Sequence, residues 1–126
     1  MNIRGKKILV TGGMGFLGRA ISRELIERGG EVQPLRSQYG DLRDPDVARR
    51  LIANVDAVVH LAANVGGIGY NMEHPVALFE DNILMGINIL RACHAAGIEK
   101  VLLAGTVCVY SDGIHLTRKP RRGVGF

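Results

Sequence analysis

The stretch Lys7-Ile-Leu-Val-Thr-Gly-Gly-Met-Gly-Phe-Leu-Gly18 decides the fold. Its first five residues form a short apolar run that is typical of a buried strand. Gly12, Gly15 and Gly18 follow this run and precede a segment whose apolar residues have helical spacing. A strand, a glycine turn and a helix in this order are typical of a dinucleotide site. The alternative interpretation is a plain glycine turn between two core elements.

Each glycine of this turn has a physical reason in the dinucleotide interpretation. Gly12 permits the tight turn, Gly15 lets a pyrophosphate approach the backbone, and Gly18 lets the helix pack on the strand. The free N–H groups at the amino end of the helix, around Phe16 and Leu17, would meet the phosphates. These five residues are therefore candidate cofactor contacts.

The rest of the chain repeats the alternation of strands and helices. Further strands are predicted at 31–35, 57–62 and 101–104, and helices at 17–28, 44–54 and 75–96. Strands that are apolar throughout and alternate with helices indicate a parallel sheet covered on both faces. We therefore predict an α/β fold, the amino-terminal part of a Rossmann-like doubly wound parallel sheet, with the order β-α-β-α-β-α-β and the strand arrangement 3-2-1-4.

Composition limits the classes of function. The chain has 126 residues, which suits one small domain, and 47% hydrophobic with 22% charged residues is an ordinary globular balance. No apolar run approaches the length of a bilayer span, no signal peptide is visible, and two cysteines form no disulfide framework. The expected location is cytoplasmic, without a membrane partner, and no residue cluster predicts a metal site.

The net charge of +4 is concentrated near the carboxyl end. Residues 1–110 carry 12 Lys/Arg against 11 Asp/Glu, whereas residues 111–126 carry Arg118, Lys119, Arg121 and Arg122 against Asp112. A globally basic nucleic-acid surface is therefore not indicated, and we expect no nucleic-acid partner. RNA binding through this basic segment is a weaker alternative.

The end of the second strand bears on cofactor choice. NAD sites usually place an acid there to hold the ribose 2′-hydroxyl, but this chain has Arg36, which suits a 2′-phosphate. Arg19 is a possible second charge. The prediction is NADP (as NADPH) rather than NAD, although Asp41 lies close by and the arginines are open to a plain surface interpretation. We expect Asp41 and Leu42 beside the adenine.

Two further segments follow predicted strands at the edge where such sheets bind ligands. In His60-Leu-Ala-Ala-Asn-Val-Gly-Gly-Ile-Gly69, the residues Leu61, Ala62 and Ala63 would let the cofactor pass close, and His60 is interpreted as a packed histidine. Asn82 is a further candidate in the cofactor site, where it would bond the backbone of a neighbouring loop, or it would lie in solvent. In Gly105-Thr-Val-Cys-Val-Tyr110, the two-residue spacing predicts that the Thr106 hydroxyl and Cys108 thiol would point to one side of an extended segment. Taken alone, these two residues would be interpreted as small core residues.

Together these motifs resemble the extended short-chain dehydrogenase/reductase superfamily and, within it, the GDP-L-fucose synthase family. The narrowest signals are the Val65-Gly-Gly-Ile68 loop and the Thr106-x-Cys108 pair, supported by Asp41-Leu-Arg-Asp44. The resemblance covers residues 5–110. It implies NADPH-dependent epimerisation and reduction of a nucleotide sugar, GDP-4-keto-6-deoxy-mannose, with Thr106 and Cys108 as catalytic residues and a homodimer as the assembly.

The chain also departs from this family. Asn64 stands where the family commonly has Lys, and no tyrosine of the chain is followed by Lys four residues later. We therefore expect 1–110 to be an incomplete NAD(P)-binding domain and 111–126 an unstructured, non-homologous basic tail, as a truncated or frame-shifted reading frame would produce. Such a fragment is expected to be inactive alone, with an apolar edge at the fourth strand and an apolar patch on the 75–96 helix. Another nucleotide-sugar epimerase or dehydratase, or a non-catalytic NADP-binding module, remains the alternative.

Overall fold

A computed structural model describes residues 2–35 and 37–105 of the chain. In this part, the strands are β1 (Lys7–Thr11), β2 (Glu31–Leu35), β3 (Ala57–His60) and β4 (Lys100–Leu103), and the helices are α1 (Phe16–Glu27), α2 (Pro45–Ile52), α3 (Ile68–Glu73) and α4 (Pro75–Ala95). A short 3₁₀ helix spans Ser37–Tyr39. All strand pairs are parallel, which confirms the predicted α/β, Rossmann-like sheet.

The strand order corrects the prediction. The sheet is ordered β2-β1-β3-β4 rather than 3-2-1-4, because β3 pairs with β1, with Ile8 opposite Ala57 and Thr11 opposite His60. After β2 the chain therefore turns back across β1. Since crossovers are right-handed, this reversal places α1 on one face of the sheet and α2 on the other. It also creates a topological switch point between β1 and β3.

Helix α3 was not predicted. The sequence analysis placed residues 65–68 in a loop and predicted no helix before Pro75, but the chain enters a helix at Ile68. This helix has only six residues, none of them buried, so it lacks the apolar period by which helices are predicted. The other helix starts follow local chemistry: Asp44 accepts a hydrogen bond from the Asp46 N–H at 2.8 Å, and Pro45 occupies the first turn of α2.

Apolar residues form one core cluster on each face of the sheet. The larger cluster joins Leu9 and Val58 of the sheet to Ile52 of α2 and Ile89 of α4. The smaller cluster contains Ile8, Val10 and Ala57, with Leu25 of α1 packed against it. The sheet is therefore covered on both sides, as a doubly wound fold requires.

The outer side of α4 forms the expected apolar patch. Its stripe consists of large apolar side chains that are between 40% and 67% exposed: Val76, Phe79, Ile83, Ile87 and Leu90. Leu102 and Leu103 of β4, an edge strand within residues 2–105, are also exposed. No helix in the described part of the chain combines the length and apolar character needed to cross a bilayer.

Candidate dinucleotide-binding site

A cleft of about 1060 Å³ lies over the carboxyl ends of β1 and β3. This is the switch point of the sheet, where open α/β sheets bind their ligands. The cleft is bordered by the glycine turn after β1, the loop after β2, the loop after β3 and the first half of α4. Its volume is that of a cofactor site rather than of a packing defect.

The glycine turn brings the start of α1 against the loop after β3. Gly12 has a φ of +67°, and a Cβ on it would lie 2.8 Å from the Ala62 nitrogen. A Cβ on Gly18 would collide with the Gly12 carbonyl oxygen and lie 2.6 Å from Gly13 Cα. These two positions therefore exclude larger residues for reasons of backbone geometry, as the sequence analysis predicted for the tight turn and the helix packing.

The amino end of α1 opens on the cleft. Gly15 is its N-cap residue, and no side chain caps the helix. The first backbone N–H groups of a helix have no intrahelical partner and carry a partial positive charge, so they favour an anion. Phe16 and Leu17 line the cleft at this end and expose most or about half of their surface. The arrangement is chemically suited to a pyrophosphate.

Thr11 and His60 link β1 to β3 directly beneath the cleft. The Thr11 hydroxyl lies 2.7 Å from His60 Nδ1, and it accepts hydrogen bonds from the Leu61 and Ala62 N–H groups, each at 3.2 Å. His60 is buried, which agrees with its interpretation as a packed histidine, and burial lowers the pKa of its imidazole. The chain leaving β3 is thus tied to the last residue of β1.

Asn82 holds the loop after β3 from the side of α4. Its Oδ1 accepts from the Asn64 N–H at 2.7 Å, and its Nδ2 donates to the Asn64 carbonyl at 2.9 Å. This is the backbone contact that the sequence analysis offered for Asn82. The residue lies behind the loop rather than among the cleft-lining residues, so its effect on a bound molecule would be exerted through Asn64.

Arg43 connects three of the segments around the cleft. Its guanidinium pairs with Asp41 in the loop after β2 and donates to Asp81 of α4 at 2.8 Å, while Asp81 also accepts from Asn64 Nδ2 at 2.8 Å. The hydrogen bonds from Arg43 lower the pKa of both Asp carboxyls, and the same bonds raise the pKa of Arg43. Both acids are therefore ionised at neutral pH.

This cluster was missed in the sequence analysis as a feature of the site. Arg43 was quoted within the Asp41–Asp44 motif, but Asp81 and Asn64 are 38 and 21 residues further along the chain, and no local pattern joins them. The buried Asn88 was also missed; its Nδ2 donates to the Leu42 and Arg43 carbonyls at 3.0 and 2.8 Å and holds the same loop. Its one sequence signal is an amide within the otherwise apolar run 83–90 of α4.

The structure brings most of the predicted cofactor residues to one cleft. Those that line it are Gly12, Gly15, Phe16, Leu17, Gly18, Asp41, Leu42, Leu61, Ala62 and Ala63. Arg36, Thr106 and Cys108 lie outside the described residues. Arg19 is not among the cleft-lining residues, and its Nε donates to the Met14 carbonyl at 2.9 Å. The binding roles themselves stay predictions.

Comparison with known proteins identifies the wider group. The family model described as the NAD dependent epimerase/dehydratase family matches residues 8–122. The chain is 38% identical to a 2-alkyl-3-oxoalkanoate reductase of Stenotrophomonas maltophilia, covering 94% of this chain and 38% of that protein. It is 33% identical to a probable GDP-L-fucose synthase of Drosophila melanogaster, covering 85% of this chain and 35% of that protein.

A solved structure agrees with these sequence matches. The GDP-L-fucose synthetase from Naegleria fowleri bound to NADP superposes with a TM-score of 0.73 at 36% identity, covering 87% of this chain and 36% of that chain. This chain therefore spans little more than a third of the length of the relatives it matches. The family match also includes residues 111–122, so the domain boundary placed at residue 110 stays a prediction.

Proposed function

Because the chain belongs to the NAD dependent epimerase/dehydratase family, we propose that it binds NADPH in the cleft at the β1–β3 switch point. We further propose that it is the cofactor-binding part of a nucleotide-sugar epimerase and reductase of the GDP-L-fucose synthase type. The full reaction would epimerise C3 and C5 of GDP-4-keto-6-deoxy-mannose and then reduce C4. The bound NADPH would supply the hydride for the reduction.

One observation carries the cofactor proposal: three glycines and an uncapped helix start share one cleft wall. Gly12 and Gly18 let the backbone of the turn pack closely where a Cβ would collide, and Gly15 leaves the helix start exposed. The N–H groups at the start of α1 offer an anion its partners. Asp41 and Leu42 stand across the cleft from this wall, in the loop after β2, where an adenosine group would lie. Arg36 precedes this loop and would pair with a 2′-phosphate.

The catalytic proposal rests on the resemblance of residues 105–110. Thr106 would donate a hydrogen bond to the 4-keto oxygen of the sugar, and Cys108 would exchange the protons at C3 and C5. The chain offers no Tyr-x-x-x-Lys pair to donate the final proton. We therefore propose that residues 1–126 alone bind the cofactor without turning over the sugar.

The 38% identity to a 2-alkyl-3-oxoalkanoate reductase supports a second candidate. In this case the chain would be the cofactor-binding part of a reductase acting on a 3-oxo acid. Both candidates require the same dinucleotide cleft. The two candidate functions can be distinguished only in the full-length protein, by assaying a sugar-nucleotide substrate and a 2-alkyl-3-oxoalkanoate side by side.

Titration of the chain with NADPH and NADH by calorimetry tests the cofactor proposal. NADPH should bind more tightly than NADH. Arg36→Ala should weaken NADPH binding by about 1–3 kcal/mol, as expected for the loss of a charge-assisted hydrogen bond, with little effect on NADH binding. Arg91→Ala, on the exposed side of α4, is the control. Gly15→Val should abolish binding of both cofactors, because its side chain would fill the pyrophosphate position.

Each part of the proposal has its own contrary outcome. Equal losses of affinity for NADPH and NADH in Arg36→Ala would exclude a contact between Arg36 and the 2′-phosphate. Unchanged affinity in a folded Gly15→Val variant would exclude the cleft as the cofactor site. NADPH oxidation by residues 1–126 with GDP-4-keto-6-deoxy-mannose would contradict the proposed lack of turnover.

A further inference from the structure

We propose that Thr11 and His60 act together as a positioning pair, whose hydrogen bond fixes the Leu61–Ala62 backbone at the cleft and makes dinucleotide affinity depend on a neutral His60. The pair lies beneath the cofactor position rather than in it. The inference rests on the proposed NADPH binding, and its test below distinguishes failure of the pair from failure of the cofactor site.

The register of the sheet places the two side chains together. Thr11 and His60 are partners across the β1–β3 ladder, each at the last residue of its strand. Thr11 is 0% exposed and His60 is 8% exposed. At this depth the Thr11 hydroxyl and His60 Nδ1 need partners within the protein, since an unsatisfied buried group costs about 1–3 kcal/mol.

The hydrogen bonds around the Thr11 hydroxyl determine the tautomer of His60. The Leu61 N–H is shared between the Thr11 carbonyl oxygen at 3.1 Å and the hydroxyl oxygen at 3.2 Å, and the Ala62 N–H donates to the same hydroxyl. The hydroxyl therefore accepts from two N–H groups, and its own proton is left for His60 Nδ1 at 2.7 Å. Nδ1 must accept, so the imidazole is neutral and carries its proton on Nε2.

Protonation of His60 would put two donors face to face. A protonated Nδ1 requires the Thr11 hydroxyl to turn its proton elsewhere and to accept a third N–H group. The bonds to Leu61 and Ala62 would then weaken, because one hydroxyl oxygen has two acceptor lone pairs. Burial already disfavours the charged imidazole and lowers its pKa.

No ionised group in the described part of the chain accounts for the His60 pKa, since burial is its whole cause. The elements on this face of the sheet contribute apolar core residues and the neutral Asn88. Besides His60, two ionisable side chains on these elements are not exposed: Asp81, which pairs with Arg43, and Cys93, whose buried thiol stays neutral because burial raises its pKa. The others are all exposed: Lys7, Glu31, Asp46, Arg49, Arg50, Glu80, Arg91, His94 and Lys100. Titration at the pair is therefore titration of His60 itself.

The backbone that the pair holds is part of the cleft wall. Leu61 and Ala62 line the cleft, and the Gly12 Cα approaches Ala62 so closely that a Cβ there would lie 2.8 Å from its nitrogen. A displacement of a few tenths of an ångström in this loop therefore changes the space between the glycine turn and the loop after β3. That space is where the cofactor is proposed to cross the sheet.

Three variants of the full chain test the pair through the Kd for NADP⁺. Thr11→Val keeps the shape but removes the hydroxyl, and should weaken binding at least about tenfold at pH 7.5, the effect of one lost hydrogen bond. Thr11→Ser keeps the hydroxyl and should stay within about threefold of the wild type. His60→Asn keeps an acceptor near the Nδ1 position without a titrating group, so its affinity at pH 7.5 should also stay close to the wild type.

The pH profile distinguishes positioning from a merely structural role. The 2′-phosphate of NADP⁺ titrates near pH 6, but this contribution cancels in the ratio of wild-type to His60→Asn affinity. Because burial holds the pKa of His60 below its ordinary value of 6.5, that ratio should stay constant above pH 6.5 and fall as the pH is lowered further towards 5. Nitrogen NMR of the imidazole should show an unprotonated Nδ1 at pH 7.5.

Each remaining result would overturn the inference. A ratio that stays constant down to pH 5, a folded Thr11→Val variant with wild-type affinity, or a protonated Nδ1 at pH 7.5 would each exclude the positioning pair alone. Absence of NADP⁺ binding by the wild type would overturn the proposed function and this inference together. If Thr11→Val does not fold, Thr11→Ser and His60→Asn still give the pH comparison.

Discussion

At the carboxyl edge of β1 and β3, small residues bring backbone segments into contact, whereas on the outer side of α4 large apolar residues face solvent. The first region is built from Gly12, Gly18 and Ala62 and is held by backbone hydrogen bonds to the buried Thr11 hydroxyl. The second presents Phe79 and Ile83, which are 67% and 42% exposed in the described part of the chain. A regular spacing of glycines thus leads to closely packed backbone, whereas an equally regular period of apolar residues leads here to a solvent-exposed surface.

The difference teaches what each kind of pattern can predict. A glycine turn is constrained by its own backbone, so its structure follows from the residues in it. An apolar stripe states only that a surface can be buried and does not identify the partner that covers it. Helix α4 is apolar on both sides, and only the side with Ile89, Ala92 and Cys93 packs on the described sheet.

The largest effect is expected from a pair of isoleucines on α4. Ile89 is 0% exposed and Ile83 is 42% exposed. Ile89→Ala should lower the free energy of unfolding by about 2–5 kcal/mol, because it leaves a cavity in the larger core cluster. Ile83→Ala should change it by less than about 1 kcal/mol, as is usual for surface substitutions. Urea unfolding of both variants measures the difference.

Equal losses of unfolding free energy in Ile89→Ala and Ile83→Ala would contradict the assignment of Ile83 to an uncovered surface. Such a result would mean that the outer side of α4 is covered in solution. Sedimentation of the wild type at two concentrations would then show whether a second copy of the chain provides the cover.

A pair of helical glycines should give the next largest effect. Gly18→Ala places a methyl group against the backbone of Gly12 and Gly13, and overpacking of this kind costs about 1–3 kcal/mol. Gly86→Ala, in the interior of α4, meets nothing within 4 Å and should stabilise the protein by about 0.5–1 kcal/mol through helix propensity. Opposite signs in the shift of the urea midpoint are the expected result. Shifts of the same sign would show that the close approach at Gly18 is relaxed in solution.

Much of the fold could be predicted because its signals are local. The strands at 7–11 and 31–35 were predicted with the observed bounds, and the helix beginning at Pro75 differs from its prediction by one residue at its end. Short apolar runs, a proline at the first turn and a glycine after the last turn set these limits without help from the rest of the chain.

The strand order could not be predicted in the same way. Both 3-2-1-4 and the observed β2-β1-β3-β4 use parallel strands, right-handed crossovers and the same elements. They differ in whether the chain continues past β2 or returns across β1, and that choice depends on which helices pack together. The packing of Val47 and Ile52 of α2 with Ile89 of α4 on one face accompanies the return, and no single segment encodes it.

In the candidate site, too, residues in local motifs could be predicted and long-range contacts could not. The residues of the glycine turn and the Leu61–Ala63 segment were predicted from their own motifs and line the cleft. The Arg43–Asp81 and Thr11–His60 contacts join residues 38 and 49 positions apart and became visible only in the structure. Long-range polar contacts of this kind leave no period in the sequence.

The smallest effect is expected from Arg43, whose ion pairs lie at the solvent-exposed rim of the cleft. Its hydrogen bonds lower the pKa of Asp41 and Asp81 below the ordinary value of 3.8, so folding favours their ionised forms. This contribution to stability is present above the unfolded pKa and is lost as the pH falls through the lower folded pKa.

Arg43→Gln should therefore have a lower free energy of unfolding than the wild type at pH 7, and this gap between the two proteins should narrow at pH 3. Since exposed pairs are screened, 1 M NaCl should also narrow it. Urea midpoints at both pH values and both salt concentrations, with Arg91→Gln as the control, measure this gap. A gap that persists at pH 3 and in high salt would mean that Arg43 stabilises the cleft rim by packing rather than by charge.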